Sequence, residues 1–353
     1  MSGFWDGKRV LVTGHTGFKG SWLTLWLEKL NASVFGLALP PDTSPSLFEE
    51  LGLGSRVDHL VGDIRDETLV SDRVAAVKPD IVFHLAAQPL VRRSYSEPML
   101  TWQTNVAGTI NLLEALRQVD HLCAVVAVTT DKVYENREWP YPYRELDRLG
   151  GHDPYSSSKA AGELAVASWR SSFFEGESGV RIASARAGNV IGGGDWAADR
   201  LIPDLIRALE SEAPITLRNP LSIRPWQHVL EPLSGYLALA QLLHETDSPS
   251  FQSAFNFGPG NEGHRSVAQL VDECLKHSKG EWHLASGAVG PHEAGELTLT
   301  TEKSRQILGW QPRWSFAETV QHTMSWYQAA RDGRRADALC AEQIGTYDLA
   351  VQG

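Results

Sequence analysis

With 353 residues the chain is long enough for two unequal lobes, each with its own hydrophobic core. A formal net charge of −11 argues against a nucleic-acid binder, whose domains carry a basic footprint. Three cysteines, Cys123, Cys274 and Cys340, are odd in number and far apart, which argues against a disulfide framework and a CxxC metal site alike and suits a reducing cytoplasm.

The first residues, Met1 to Lys8, lack an apolar signal core, and no run approaches the roughly 18 apolar residues of a membrane span, so a soluble cytoplasmic protein is expected. Arg9 to Val12 reads as a short buried strand. It runs into Thr13-Gly14-His15-Thr16-Gly17-Phe18-Lys19-Gly20 and then an apolar helix from Ser21 to Leu30. Strand, glycine turn and helix is the context that gives a glycine motif meaning: Gly14 makes the tight turn, Gly17 lets the backbone approach a pyrophosphate, and Gly20 lets the helix pack on the sheet. The helix N-terminus would then face the phosphates.

Further strands at Val34–Leu37, His59–Val61 and Ile81–Leu85 alternate with segments of helical period, which predicts a parallel, doubly wound sheet. Gly62-Asp63-Ile64 closes the third strand. Leu85-Ala86-Ala87-Gln88 closes the fourth with small residues against which a ligand can lie. No acid closes the second strand at Ala38-Leu39-Pro40-Pro41, where a dinucleotide site holds the ribose 2′-hydroxyl; Asp42 stands too far along, and Lys19 would tolerate a 2′-phosphate. The chemistry thus leaves NAD and NADP both open.

Next comes an apolar run from Leu122 to Val128, which delivers Thr129-Thr130-Asp131-Lys132-Val133-Tyr134 to the carboxyl end of a strand, the edge where open α/β sheets bind ligands. Downstream, Tyr155-Ser156-Ser157-Ser158-Lys159 sets a phenol and an ammonium one helical turn apart. Thr130, Asp131, Lys132, Tyr155 and Lys159 are the candidate catalytic residues, suited to moving protons around a carbonyl. Alone, either stretch also suits a helix cap or a surface pair; the glycine turn upstream favours the chemical reading.

The second half is rich in irregular Gly, Pro, Trp and Arg segments: Ala185-Arg186-Ala187-Gly188-Asn189 through Gly192-Gly193-Gly194-Asp195-Trp196; Asp199-Arg200-Leu201; Arg218-Asn219-Pro220; and Ile223-Arg224-Pro225-Trp226-Gln227-His228-Val229-Leu230-Glu231. Asn256-Phe257-Gly258-Pro259, His292-Glu293-Ala294 and Leu308-Gly309-Trp310 follow. Arg200, Arg218 and Arg224 offer charge for a pyrophosphate, though each equally suits a salt bridge. A helix is predicted from Ser315 to Arg331, with Phe316, Val320, Met324 and Tyr327 on one face. The tail beyond Asp332 is polar and loosely patterned and receives no function.

The GxxGxxG spacing resembles the extended branch of the short-chain dehydrogenase/reductase superfamily, and Thr130, Tyr155 and Lys159 match its Ser/Thr, Tyr, Lys triad. The polar pair after the triad Thr resembles the sugar-nucleotide 4,6-dehydratases. Their thymidine-sugar branch carries Asp-Glu there, whereas Asp131-Lys132 and the second-half motifs are similar to the CDP-glucose 4,6-dehydratase family.

That resemblance implies a Rossmann-type α/β fold with a smaller C-terminal α/β lobe. Residues 1–188 would bind NAD, and 189–353 mainly the CDP-sugar, with some segments returning to the first domain. It implies cofactor contacts from Gly14, His15, Thr16, Gly17, Phe18, Lys19, Gly20, Asp63 (to the adenine), Ile64, Leu85, Ala86, Ala87, Gln88, Asn105, Tyr155 and Lys159. Substrate contacts would come from Asn189, Arg200, Leu201, Arg218, Arg224, Trp226, Gln227, His228 and His292, and no metal is implied. The implied reaction takes CDP-D-glucose to CDP-4-dehydro-6-deoxy-D-glucose and water, in deoxysugar synthesis of the O-antigen type. Asp131 and Lys132 would serve the loss of water, Lys132 as base or as the charge that holds an enolate.

A homodimer or homotetramer is implied through the helices near 98–117 and 153–173, with Leu112, Leu113, Leu116, Ala160 and Leu164 at the contact. The rivals are an epimerase or another nucleotide-sugar dehydratase of the superfamily, and a dinucleotide-binding regulator without turnover.

Overall fold

The computed structural model describes residues 2–176, 178–285 and 295–349. Seven strands, β1 (Arg9–Thr13), β2 (Ser33–Ala38), β3 (Asp58–Val61), β4 (Ile81–His84), β5 (Cys123–Val128), β6 (Val180–Ala187) and β7 (Ala254–Phe257), lie parallel in the order β3-β2-β1-β4-β5-β6-β7. A parallel sheet is covered on both faces, so its inner strands must be apolar on both; all six residues of β5 are buried. The pleat divides them: Ala124, Val126 and Val128 enter one core, while Cys123, Val125 and Ala127 enter the other.

Among the helices are α1 (Phe18–Lys29), α2 (Glu67–Val77), α3 (Gly108–Leu116), α4 (Pro154–Phe173), α5 (Leu201–Glu210), α6 (Leu230–Glu245), α7 (Phe316–Arg331) and α8 (Ala336–Leu349). Residues of α2, α3 and α4 build the smaller core, and residues of α1, α6, α7 and α8 the larger one. Strand order reverses between β1 and β4, so a crevice opens at their carboxyl ends.

The second half is not one block. β7 joins the main sheet beside β6, and Leu233, Tyr236 and Leu237 of α6 sit in the same core as Val10 and Val126. What stands apart is built on three two-stranded pairs: 190–191 with 227–228, 215–217 with 282–284, and 223–225 with 264–266. The three cysteines are free and buried.

Two expectations are corrected. The tail forms α8, whose Leu339, Cys340, Ile344 and Tyr347 are buried in the larger core, and the Tyr347 hydroxyl donates to Glu231 Oε2 at 2.6 Å. Its apolar residues meet partners from distant elements, and the sequence pattern alone does not show that. The segment near 98–117 is a short helix at Pro98–Trp102, a π turn at Gln103–Ala107 and then α3, and Leu112, Leu113, Leu116 and Ala160 are all buried within the chain itself. Of the expected contact residues only Leu164 is exposed, at 60%.

Candidate active site

The glycine turn is built for close approach. Gly14 has φ +75°, and a Cβ there would lie 2.6 Å from Ala86 N; a Cβ on Gly20 would lie 2.2 Å from the Gly14 carbonyl oxygen. Gly17 caps α1 without a side-chain hydrogen bond, and a Cβ on it would meet only the Gly14 carbonyl, at 3.5 Å. An uncapped helix start behind an open glycine is a cradle for a phosphate anion, so these residues fit the pyrophosphate of a dinucleotide.

His15 departs from its expected role. Its ring turns under the sheet, fills the space a side chain at Gly36 would need, and meets His59 Nδ1 at 2.7 Å, so only its backbone belongs to the turn. The Thr16 hydroxyl donates to the Leu39 carbonyl at 2.9 Å. Lys19 belongs to the charged groups of the site. It lines the main cleft with Phe18, and burial together with Arg200 and Lys159 pushes its ammonium down to about 7 against the pull of Asp131.

At the end of β3, Asp63 is held by Arg65 at 2.5 Å, which keeps its carboxyl below the usual range and leaves it an acceptor. Ile64 packs on Gly108, and its carbonyl accepts from Asn111 Nδ2 at 3.1 Å. After β4, Leu85, Ala86 and Ala87 run past the glycine turn, with the Ala86 backbone against Gly14. Asn105, in the π turn, accepts from Gln88 N at 2.8 Å and donates to the Gln88 carbonyl and to Ser158 Oγ. It ties the strand end to α4.

α4 opens on a capping box: Asp153 accepts from Ser156 N at 3.0 Å, Ser156 Oγ accepts from Asp153 N at 3.1 Å, and Pro154 takes the first position. This start fixes Tyr155 in the first turn and Lys159 one turn on. Tyr155 lies in hydrogen-bonding reach of Thr130; burial pushes its phenol up to about 12, with Thr130 and Arg200 pulling it down. The Lys159 ammonium donates to the Val128 carbonyl at 3.3 Å and is pushed down to about 8 by burial. Arg200 is thus one positive charge felt by Tyr155.

Thr130 Oγ1 donates to Asp131 Oδ1 at 2.9 Å, and Lys132 Nζ lies 3.8 Å from the same oxygen. Asp131 is wholly buried, and its Oδ2 has no hydrogen-bond partner among the described residues. A Cβ on Gly188 would come within 1.9 Å of that oxygen, so only glycine leaves room for the carboxylate. Beneath the strand end lies a buried pair not anticipated from the sequence. Glu163 accepts from Arg186, from Thr129 Oγ1 at 2.6 Å and from Ser184 Oγ at 2.7 Å, while Arg186 Nη1 donates to Tyr134 Oη at 2.9 Å. Glu163 stands four residues beyond Lys159, and that spacing is its only signal in the sequence.

The cleft itself holds about 1190 Å³ and is lined by Thr130, Lys132, Tyr155, Asn189, Arg200, Leu201, Arg218, Arg224 and Trp226 among others. Asn189 has φ +31° and a buried Oδ1 without a partner among the described residues. Arg200 pairs with Asp195 at 3.0 Å, and Arg224 Nη1 donates to the Ile223 carbonyl.

Gln227 and His228 are corrections: neither lines the cleft. Gln227 Nε2 donates to the carbonyls of Gly188 and Phe257, which pins the Gly188 backbone. His228 is fully buried between Trp22 and Trp314, and burial holds it neutral. His292 lies outside the described residues. Arg92 and Asp199 line the cleft without having been singled out by the sequence.

A family model described as GDP-mannose 4,6 dehydratase matches residues 11–323. The CDP-glucose 4,6-dehydratase of Salmonella typhimurium is 51% identical over 354 residues, 99% of this chain and 98% of that protein. Among solved structures, MoeE5 in complex with UDP-glucuronic acid and NAD superposes with a TM-score of 0.76 at 25% identity, over 91% of this chain and 99% of its own. The dTDP-glucose 4,6-dehydratase of Bacillus anthracis, in complex with NAD, gives 0.75 at 22% identity over 92% and 97%. With a family model matched across most of its length and a relative half identical from end to end, the chain belongs to the GDP-mannose 4,6-dehydratase family of nucleotide-sugar enzymes.

Proposed function

We propose that the chain is an NAD-dependent CDP-D-glucose 4,6-dehydratase, forming CDP-4-dehydro-6-deoxy-D-glucose and water for deoxysugar synthesis of the O-antigen type. The observation that carries this reading is the meeting of Thr130, Lys132 and Tyr155 on one cleft at the reversal of strand order, with Asp131 buried directly behind Thr130. The relative named for this reaction, half identical over the whole chain, supports the substrate. The glycine cradle and the small residues after β4 support the dinucleotide, with Gly14, Gly17, Phe18 and Gly20 suited to its pyrophosphate; by resemblance to the family, Asp63 would meet its adenine and Lys159 its nicotinamide ribose.

When bound, NAD supplies the acceptor for the C4 hydride and the donor that returns it to C6. The protein's own groups manage the protons. Tyr155 takes the C4 hydroxyl proton, and Arg200 lowers the cost of its phenolate. Thr130 holds the developing carbonyl by turning its hydroxyl from Asp131 Oδ1 to the substrate oxygen. A ketone at C4 acidifies the C5 hydrogen, so the loss of water becomes a matter of one base and one acid. Asp131, whose Oδ2 has no hydrogen-bond partner among the described residues, is the carboxyl group available to serve the departing C6 hydroxyl. Lys132, at 30% exposure the more open of the pair, acts on the C5 side.

Among the described residues no helix is long and apolar enough to cross a membrane, in keeping with work in the cytoplasm on a water-soluble nucleotide. Met99 (69% exposed), Trp102 (41%) and Leu164 (60%) are exposed apolar residues on adjoining helices, which suits a homodimer. An epimerase would need no carboxyl buried beside the triad Thr, and a regulator without turnover would need no triad. The test is a panel of nucleotide-glucoses with alkaline absorbance of the enone-type product: conversion of CDP-glucose is expected, and none with it, or preference for another nucleotide, overturns the reading.

A further inference from the structure

Arg92 and Arg218 reach the cleft from opposite sides, one from the short helix Val91–Ser96 behind β4, the other just past the strand Ile215–Leu217 of the smaller lobe. Between them stands Asp199, whose Oδ1 lies 3.6 Å from Arg92 Nη1 and 3.7 Å from Arg218 Nη1. Neither distance is that of a hydrogen bond, so one oxygen is shared by two guanidinium groups through charge alone. Arg92 Nε is also buried without a hydrogen-bond partner among the described residues. Two planar forks offer more donors than a shared carboxylate oxygen can use, whereas a diphosphate brings several oxygens and at least two charges to the same place.

We propose that Asp199 is a latch between Arg92 and Arg218, and that the diphosphate of the incoming nucleotide sugar displaces its carboxylate and takes both guanidinium groups. Arg92 thereby becomes a substrate-binding residue on the half of the chain otherwise given to the cofactor. The inference rests on the nucleotide-sugar reading and deepens it. Both ion pairs are partly exposed, so the latch is weak enough for a ligand to open.

The test is calorimetric titration of CDP into the NAD-loaded enzyme. Asp199 has φ +60°, a conformation Asn adopts as readily as Asp, so Asp199→Asn removes the charge and keeps the backbone. It should bind CDP about two- to fivefold tighter, the worth of such exposed pairs. Arg92→Gln should bind about tenfold more weakly, and in that background the gain from Asp199→Asn should shrink because the two share a partner. Unchanged or weaker binding by Asp199→Asn, or unchanged binding by Arg92→Gln, overturns the latch. Turnover of CDP-glucose by the parent is read alongside: an active parent with flat CDP affinities sinks the latch alone, and an inactive parent with the expected affinities sinks the dehydratase reading alone.

Discussion

Gly188→Ala places one methyl group against the Asp131 carboxylate, to which the proposed mechanism gives a part in the loss of water. The added Cβ would stand 1.9 Å from Asp131 Oδ2 and 2.4 Å from its Cγ, whereas real Cβ contacts essentially never fall below 3.0 Å. Opening the gap from 1.9 Å to 3.0 Å requires a displacement of about 1.1 Å. Asp131 has nowhere to retreat without loss, because it is wholly buried and its Oδ1 accepts from Thr130 at 2.9 Å. A shift of that size in a catalytic group costs on the order of 100-fold in rate, and the overpacking about 1–3 kcal/mol of stability. In the proposed mechanism the first hydride transfer needs only Thr130, Tyr155 and Lys159, so the variant should oxidise C4 yet eliminate water slowly. Mixing with CDP-glucose should therefore raise the near-ultraviolet absorbance of reduced nicotinamide while product forms slowly. Asp131→Asn, with Gly188 intact, should stall at the same point without the overpacking. A folded Gly188→Ala that turns over like the parent would refute the role given to Asp131.

Lys132→Met should also oxidise C4 and stall before water is lost. Lys132→Glu should recover elimination if Lys132 removes the C5 proton and none if it serves as positive charge; parent-like turnover in Lys132→Met would reduce it to a strand-end lysine facing solvent. His15 and His84 are held neutral, each at about 3, by burial. Because the unfolded chain protonates near 6.5, stability is full above that pH and falls below it by about 1.4 kcal/mol per unit for each histidine until pH nears 3. Denaturant unfolding at pH 7.5 and 5.5 should differ by roughly 3 kcal/mol from this pair, and His84→Gln should remove about half of that difference; an undiminished difference in the variant would contradict the assignment. Light scattering at micromolar concentration should show a dimer that Leu164→Glu weakens, and a monomeric parent would exclude the pairing.

The glycine turn, the first five strands of the sheet and the one-turn spacing of Tyr155 and Lys159 are legible in the sequence because each is carried by local signals, whereas the strands at 180–187 and 254–257 are not. The misreadings share a cause, which is that side-chain direction depends on elements far away. Gln227 and His228 sit in a polar, aromatic stretch that looks like a ligand loop. Their pairing with 190–191 instead sends them inward, where Gln227 meets the backbone and His228 meets Trp22 and Trp314. His15 lies in the turn that a cofactor should touch, but Gly36 leaves a hole in the sheet that its ring fills. Gly188 gains its meaning only from Asp131, and Arg92 only from Asp199, across separations that no periodicity spans.

In the proposed reaction hydride leaves C4 and returns to C6 of the same sugar within one cleft. CDP-glucose deuterated at C4 should yield product carrying the deuterium at C6, followed by mass spectrometry or NMR. Deuterium lost to water, or found in released reduced cofactor, would contradict it.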